Sequence, residues 1–216
     1  MMRFFLLLAT TLLLNQVVRA AEPANPPMAK FVVRLFGANV DPDSFAAKPR
    51  TLYRAGETYA RLEHAPDPAR DMHKLVVIAE PDIWDVNLIA GTGQHSVDPG
   101  PRFVVHINIM PPGGPKEFAT LEFGAELEFF KLHKATSAPE RVLDGKRCHA
   151  LKYSYGDYRL LLYSAVDSGL PFQLEVYRND HLNVALRYLT YERNLPFEPE
   201  LFKPPADIKM TEAPAK

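Results

Sequence analysis

Four stretches of this chain alternate apolar and polar residues with a period of two, and short turns separate them. "IWDVNLI" sets Trp84, Val86 and Leu88 against Asp85 and Asn87, and "RFVVHINI" sets Phe103, Val105, Ile107 and Ile109 against Val104, His106 and Asn108. "HALKYSY" sets Leu151, Tyr153 and Tyr155 against Lys152 and Ser154, and "PFQLEVYR" sets Phe172, Leu174 and Val176 against Gln173 and Glu175. This is the pattern of strands with one face on a core and the other in water. The separators carry turn chemistry: Ala55-Gly56, "GTGQ" at 91–94, "YGD" at 155–157, "DSGLP" at 167–171 and "RNDH" at 178–181. Short strands joined by short turns predict an antiparallel meander. Four consecutive strands are expected from Tyr153 to "VALRYLTYER", with further strands near Val32, Tyr59, Val76, Trp84 and Val105.

One segment has a different period. "EFATLEFGAELEFFKLH", residues 117–133, reads as a helix at about 100° per residue. Phe118, Leu121, Ala125, Phe129 and Leu132 share one apolar stripe, and Ala119, Phe123, Leu127 and Phe130 share a second. One stripe can pack on a single-faced sheet. The second needs another apolar partner: the far wall of a curved sheet, a lid, a subunit or a ligand. A large antiparallel sheet with one apolar face curls as it twists, and a curled sheet around one helix would meet both stripes. Packing of both stripes in an ordinary core is the alternative.

The chain has 216 residues and begins "MMRFFLLLATTLLLNQVVRAAEP". Arg3, the apolar run Phe4 to Leu14 and the small residues at Val18-Arg19-Ala20 read as a secretory signal peptide over 1–20, cut after Ala20. Residues 21–216 then form a single domain, which that length can supply with a core. Ala21 follows the cut, so a lipidated cysteine is not expected there. No later segment is long and apolar enough to span a bilayer, and an integral membrane protein is not expected. "EPANPPMAK" reads as a loose proline-rich arm. The net charge of −1, with no clustered Lys/Arg stripe, gives no sign of a nucleic-acid partner. Cys148 is the only cysteine, so the fold holds by packing without an internal disulfide.

The C-terminal third, "AVDSGLPFQLEVYRNDHLNVALRYLTYERNLPFEPELFKPPADIKM", resembles the periplasmic lipoprotein carriers of the LolA/LolB-like superfamily. Asp167, Gly169, Leu170 and Pro171 match that family's Asp-x-x-Gly-Leu-Pro turn, and Phe202, Pro204 and Pro205 match its Phe-x-Pro-Pro-type ending. "LYRAGETYARLEH" and "DIWDVNL" are similar to its early hairpin and Trp-bearing strand. The resemblance implies a highly curved, unclosed antiparallel β-barrel with a helical lid, enclosing a cavity for acyl chains. It implies a periplasmic location and a lipid or acylated lipoprotein as partner, with other envelope proteins as further partners. The family's amphipathic N-terminal helix is not evident in residues 22–50, and no residue here is assigned to its cavity arginine.

Other chemistry has weaker footing. His95-Ser96-x-Asp98 holds the residue types of a hydrolase triad, but on one extended piece and with no G-x-S-x-G elbow. Glu122 and Glu126 share a helix face near His133 and could ligate a metal, but no H-E-x-x-H or second carboxylate helix accompanies them, so they read as a solvated stripe. "MPPGGP" at 110–115 lacks the Lys-Ser/Thr of a phosphate cradle. No cofactor is indicated. The expected architecture is therefore mainly β (α+β), a curved unclosed sheet around the 117–133 helix. The expected function is non-enzymatic binding of a lipid or lipoprotein acyl chain, lined by Phe118, Leu121, Phe129 and Leu132 from the helix and Trp84, Val86, Phe103 and Val105 from the sheet. Two alternatives remain: a structural or envelope-sensing module with a filled interior, distinguished by the absence of a cavity, and a hydrolase using the His95–Asp98 region, distinguished by convergent acid-base groups in a cleft.

Overall fold

The computed structural model describes residues 25–110 and 114–213. The expected leader at 1–20 and its cut lie outside the described residues, as does part of the 110–115 loop. Twelve strands form one curved sheet that does not close into a barrel. They are β1 (Met28–Phe36), β2 (Arg50–Ala55), β3 (Tyr59–His64), β4 (Lys74–Ala79), β5 (Asp82–Asn87), β6 (Thr92–Val97), β7 (Thr136–Leu143), β8 (Lys146–Tyr155), β9 (Tyr158–Ala165), β10 (Pro171–Arg178), β11 (His181–Leu195) and β12 (Lys209–Glu212). The order across the sheet is β12-β6-β5-β4-β3-β2-β1-β11-β10-β9-β8-β7. Two antiparallel meanders, β1–β6 and β7–β11, are thus joined by the pairing of β1 with β11. Among the described residues only β12 pairs in parallel, with β6.

This order dictates the rest. β6 and β7 follow one another in the chain but stand ten strand steps apart. At about 4.8 Å per step, residues 98–135 must cross the sheet from one end to the other. The described residues 98–110 and 114–135 do so over its inner face, and α1 (Glu126–Leu132) is part of that crossing. Phe31, Val33, Leu52, Leu160, Leu162, Leu174, Val176 and Leu186 from the strands pack there with Phe118, Leu121, Phe123, Phe129 and Phe130 from the crossing segment.

The long helix expected over 117–133 is corrected to two pieces. A 3-10 turn at Lys116–Phe118 and the seven-residue α1 flank a stretch in which Glu122 bridges to Asn108. Gly124 ends that stretch at φ +88°, and a Cβ there would lie 3.0 Å from the Phe31 ring. The backbone conformation and the close approach both call for glycine. Each piece brings its own buried aromatics, which is why the segment showed two apolar stripes when laid on one helical wheel. The strand expected over 103–109 is corrected as well. It runs as part of the crossing segment, bonded to the chain by Val105 N to Glu57 O (2.7 Å), Ile109 N to Leu121 O (2.9 Å) and Phe123 N to Ile107 O (3.1 Å).

The outer face of the first meander is not left to water. After β11 the chain returns over the outer side of the first meander. Phe202 packs with Met28 and Ala55, and Ile208 and Met210 pack with Leu75, Val77, Trp84 and Val86. Outward-facing apolar residues in β2–β5 therefore find a cover, and β12 sits close enough to Gly93 that a Cβ there would lie 2.8 Å from the Met210 sulfur. The second meander carries a polar cluster on its outer side. Gln173 and Glu175, expected in water, are buried: Gln173 Nε2 donates to Glu175 at 2.6 Å, and the Tyr177 and Tyr163 hydroxyls donate to the same carboxylate at 2.8 and 3.2 Å. These bonds compensate the lost hydration. Cys148 is buried beside Tyr163, and burial pushes its thiol up.

His95 fastens β12. Its Nε2 meets Asp82 at 2.8 Å and its Nδ1 meets Glu212 at 2.9 Å, with Trp84 stacked on the ring. Two carboxylates at two ring nitrogens favour the doubly protonated ring, and the hydrogen bond to Asp82 is the largest cause of a pKa raised above 6.5. A raised histidine stabilises fully below 6.5 and loses that contribution as pH rises through its folded value. Amide exchange at Lys209–Glu212, corrected for intrinsic rate, should therefore speed up above that value, and His95→Gln should abolish the pH dependence. Equal protection at pH 6 and pH 9 in the unaltered protein would show that the ion pairs do not hold the strand.

Candidate functional site

The crossing segment is fastened to the sheet at several polar points, of which two flank Gly124. Arg54, on the inner face of β2, reaches Glu122 at 2.8 Å, Val105 O at 3.4 Å and Phe123 O at 3.5 Å. His106 Nδ1 approaches the other Glu122 oxygen at 2.5 Å. The second point is Glu126, fully buried at the start of α1. It accepts hydrogen bonds from the Gly124 amide (2.9 Å) and from the Tyr191 (3.2 Å) and Tyr188 hydroxyls of β11. Tyr188 and Tyr191 are an odd number of residues apart, yet both face inward. The register shift between Val32 and Val33, opposite Thr190 and Tyr188, places a bulge at Leu189 that re-aims the strand. Both rings then pack edge-on against Phe31. The expectation of a solvated Glu122–Glu126 stripe is thus corrected: both carboxylates are buried and internally paired.

Between the crossing segment and the sheet lies a cavity of about 1100 Å³. Its sheet side is Leu35 of β1, Leu174 and Val176 of β10 and Val184 and Leu186 of β11, with Tyr158 of β9. Ile107, Ile109, Met110 and Phe118 close it from above, and Asn39, Val40 and Ala46 come from the connection between β1 and β2. Its basic lining groups are Arg50, His106 and Lys116, and among the described residues no carboxylate lines it. Arg50 is half-buried, and burial lowers its pKa. His64 beside it is pulled down to about 4, first by burial and then by the Arg50 charge, so it is neutral at pH 7.

The eight residues expected to line one pocket fall in several places. Phe118 lines the cavity. Leu121 and Phe129 are buried in the core around it. Phe129 also borders a separate shallow hollow with Leu132, whose side chain is 70% exposed. Val105 is buried against the early strands, and Phe103 is 42% exposed near Gly100. Trp84 and Val86 lie on the outer face of the sheet, under Ile208 and Met210, because the strand phase that joins them to Leu75 and Val77 points away from α1. The residues missed were Leu35, Arg50, Tyr158, Val184 and Leu186. Leu174, Val176, Ile107 and Ile109 were visible as apolar phases but were not tied to a pocket.

The hydrolase arrangement does not assemble. His95 turns to Asp82 and Glu212, while Asp98 accepts the Gly100 amide at 2.8 Å. Among the described residues no group of three or more His, Cys, Asp or Glu is placed to hold a metal, and no helix is long and apolar enough to cross a membrane.

No protein-family model and no curated protein sequence matches this chain. Solved structures similar to it include an uncharacterized conserved protein from Thermus thermophilus, with a TM-score of 0.49 and 12% identity over 86% of this chain and 90% of that one. The Pseudomonas aeruginosa MucA/MucB complex gives a TM-score of 0.41 and 13% identity over 87% of this chain, which spans 58% of the matched chain. A LolA superfamily protein from Nitrosomonas europaea gives 0.33 and 12% over 84% and 91%.

Burial holds the Glu126 carboxyl above its usual 4.5, against the hydrogen bonds that favour its charged form. A carboxyl raised on folding stabilises fully below 4.5 and loses that contribution as pH climbs through its folded value. In chemical denaturation from pH 4.5 to pH 8, the unaltered protein should therefore lose stability relative to Glu126→Gln. Parallel pH curves for the two proteins would contradict the assignment.

Proposed function

We propose that this protein is an exported, non-enzymatic lipid-binding protein that shelters an acyl chain between its curved sheet and the crossing segment, as a periplasmic carrier would. The observation that carries the reading is the cavity: about 1100 Å³ walled mainly by aliphatic side chains. Ligand pockets are commonly about 300–1,000 Å³, and a module stabilised by a filled interior has no use for such a space. Each methylene moved from water into an apolar site contributes ~0.8 kcal/mol, so a long chain binds without a reaction or a metal. The Asp167–Pro171 turn, which resembles that of the lipoprotein carriers, joins β9 to β10, the strand that supplies Leu174 and Val176 to the cavity.

Ile109→Trp tests the reading. An indole at this half-buried lining position takes volume from the ligand while leaving the sheet intact. Displacing two or so methylenes should weaken a fluorescent long-chain acyl probe roughly tenfold, at a melting temperature close to that of the unaltered protein. Leu132→Glu, on the exposed side of α1, should bind the probe normally. Equal probe affinity for Ile109→Trp and the unaltered protein would place the acyl chain elsewhere.

A further inference from the structure

We propose that the ligand of this cavity is a long-chain amphiphile with an anionic head, carboxylate or phosphate, and that Arg50 is the residue that reads the head. The inference rests on the acyl-binding reading and narrows it to a chemical class.

Arg50 opens β2 opposite Val33, in phase with Leu52, so it stands on the inner face and lines the cavity. Among the described residues its buried Nε has no partner, and its hydrogen bond runs from Nη2 to Ala46 O at a long 3.4 Å. No carboxylate pairs with it among the described residues. Several other basic side chains of the sheet are paired: Arg54 with Glu122, Arg61 with Glu63, Lys74 with Asp85 and Arg187 with Asp144. Lys74 is the instructive neighbour, since Arg50, His64 and Lys74 form one cross-strand row on the inner face. Asp85 meets Lys74 at 2.9 Å, His64 is neutral, and Arg50 alone keeps an uncompensated charge.

A partly desolvated guanidinium without a counter-ion is costly, and an anion supplied by a ligand offsets that cost. The planar fork of arginine fits a carboxylate or phosphate with two parallel N–H···O bonds. The remaining lining agrees in sign. Lys116 is exposed at the rim with no ion pair among the described residues, and His106 is held by Glu122, whose charge Arg54 also meets. The aliphatic walls around Leu35, Leu174 and Leu186 fix the other end of the ligand as a hydrocarbon chain.

Three ligands of one chain length separate head from chain: hexadecanoate, hexadecyl phosphate and hexadecanol, each titrated below its aggregation concentration by displacement of a fluorescent acyl probe. The unaltered protein should bind at least one of the two anions about tenfold more tightly than the alcohol, and the tighter of the two anions identifies the head. Arg50→Gln should bring that preference down to about one. Equal affinity for all three ligands, or a preference that survives in Arg50→Gln, would overturn the role of Arg50 and leave the acyl cavity standing. Failure of the unaltered protein to bind any of the three, or the probe itself, would remove both. The comparison of ligands on the unaltered protein decides the charge preference even if Arg50→Gln does not fold.

Discussion

The separation of β6 from β7 across the full width of the sheet is the constraint from which the rest of the molecule follows. A meander that simply continued would have placed β7 beside β6 and left the inner face open. Here the N-terminal strand β1 takes β11 as its partner, so the two meanders join at β1·β11 and the connection between β6 and β7 must span the sheet. A segment crossing a curved apolar face cannot remain an ordinary surface loop. Its own backbone polar groups must be satisfied, which the 107–109 and 121–123 pairing achieves. Its position must also be fixed, which Arg54–Glu122 and Glu126–Tyr188/Tyr191 achieve. At seven residues α1 is far too short to persist alone, so these contacts and the burial of Phe129 and Phe130 keep it helical.

The cavity is a consequence of the same crossing. The segment touches the sheet closely where Phe118, Leu121, Phe123 and Phe129 interleave with Phe31, Leu160 and Leu186, and stands off it near the connection between β1 and β2. The stand-off leaves an apolar floor uncovered by side chains of the described residues, with Arg50 on it. The outer face is treated differently. The C-terminal segment lies on it from Phe197 to Met210 and fills the space above the first meander. The first meander is thus covered solidly on its outer face, while the inner face of the sheet is covered incompletely, and it is the incomplete side that holds Arg50.

The second meander was legible from β8 onward because β8 and β10 carry a clear alternation and the junctions from β8 to β11 their own turn residues: Gly156, Gly169 and the Asn179-Asp180 pair all adopt positive φ where turns were expected. The first meander was harder to read. "KLVVIA" at β4 is apolar on both faces, since Leu75 and Val77 point outward to the C-terminal cover and Val76 and Ile78 inward. Period alone therefore could not say that the Trp84–Val86 face is the outer one. β6, β7 and β12 lack any apolar rhythm: they are edge or near-edge strands, and while β6 and β7 pair with their chain neighbours β5 and β8, β12 pairs with a strand far away in the chain. The 117–133 segment misled for a related reason. Helical spacing of aromatics in two short pieces mimics one long helix, and only Gly124 in its middle hinted at the break. Arg50 left no trace in the pattern, because the meaning of a lone arginine lies in what fails to stand beside it.

Native mass spectrometry of the protein, purified without detergent from the cells that produce it and measured before and after delipidation, tests the central claim most directly. A cavity that shelters an acyl chain predicts a fraction carrying the mass of one lipid, lost on delipidation and regained when the delipidated protein meets a long-chain anionic amphiphile. The bare polypeptide mass in all three measurements would mean that the space between sheet and crossing segment holds no lipid.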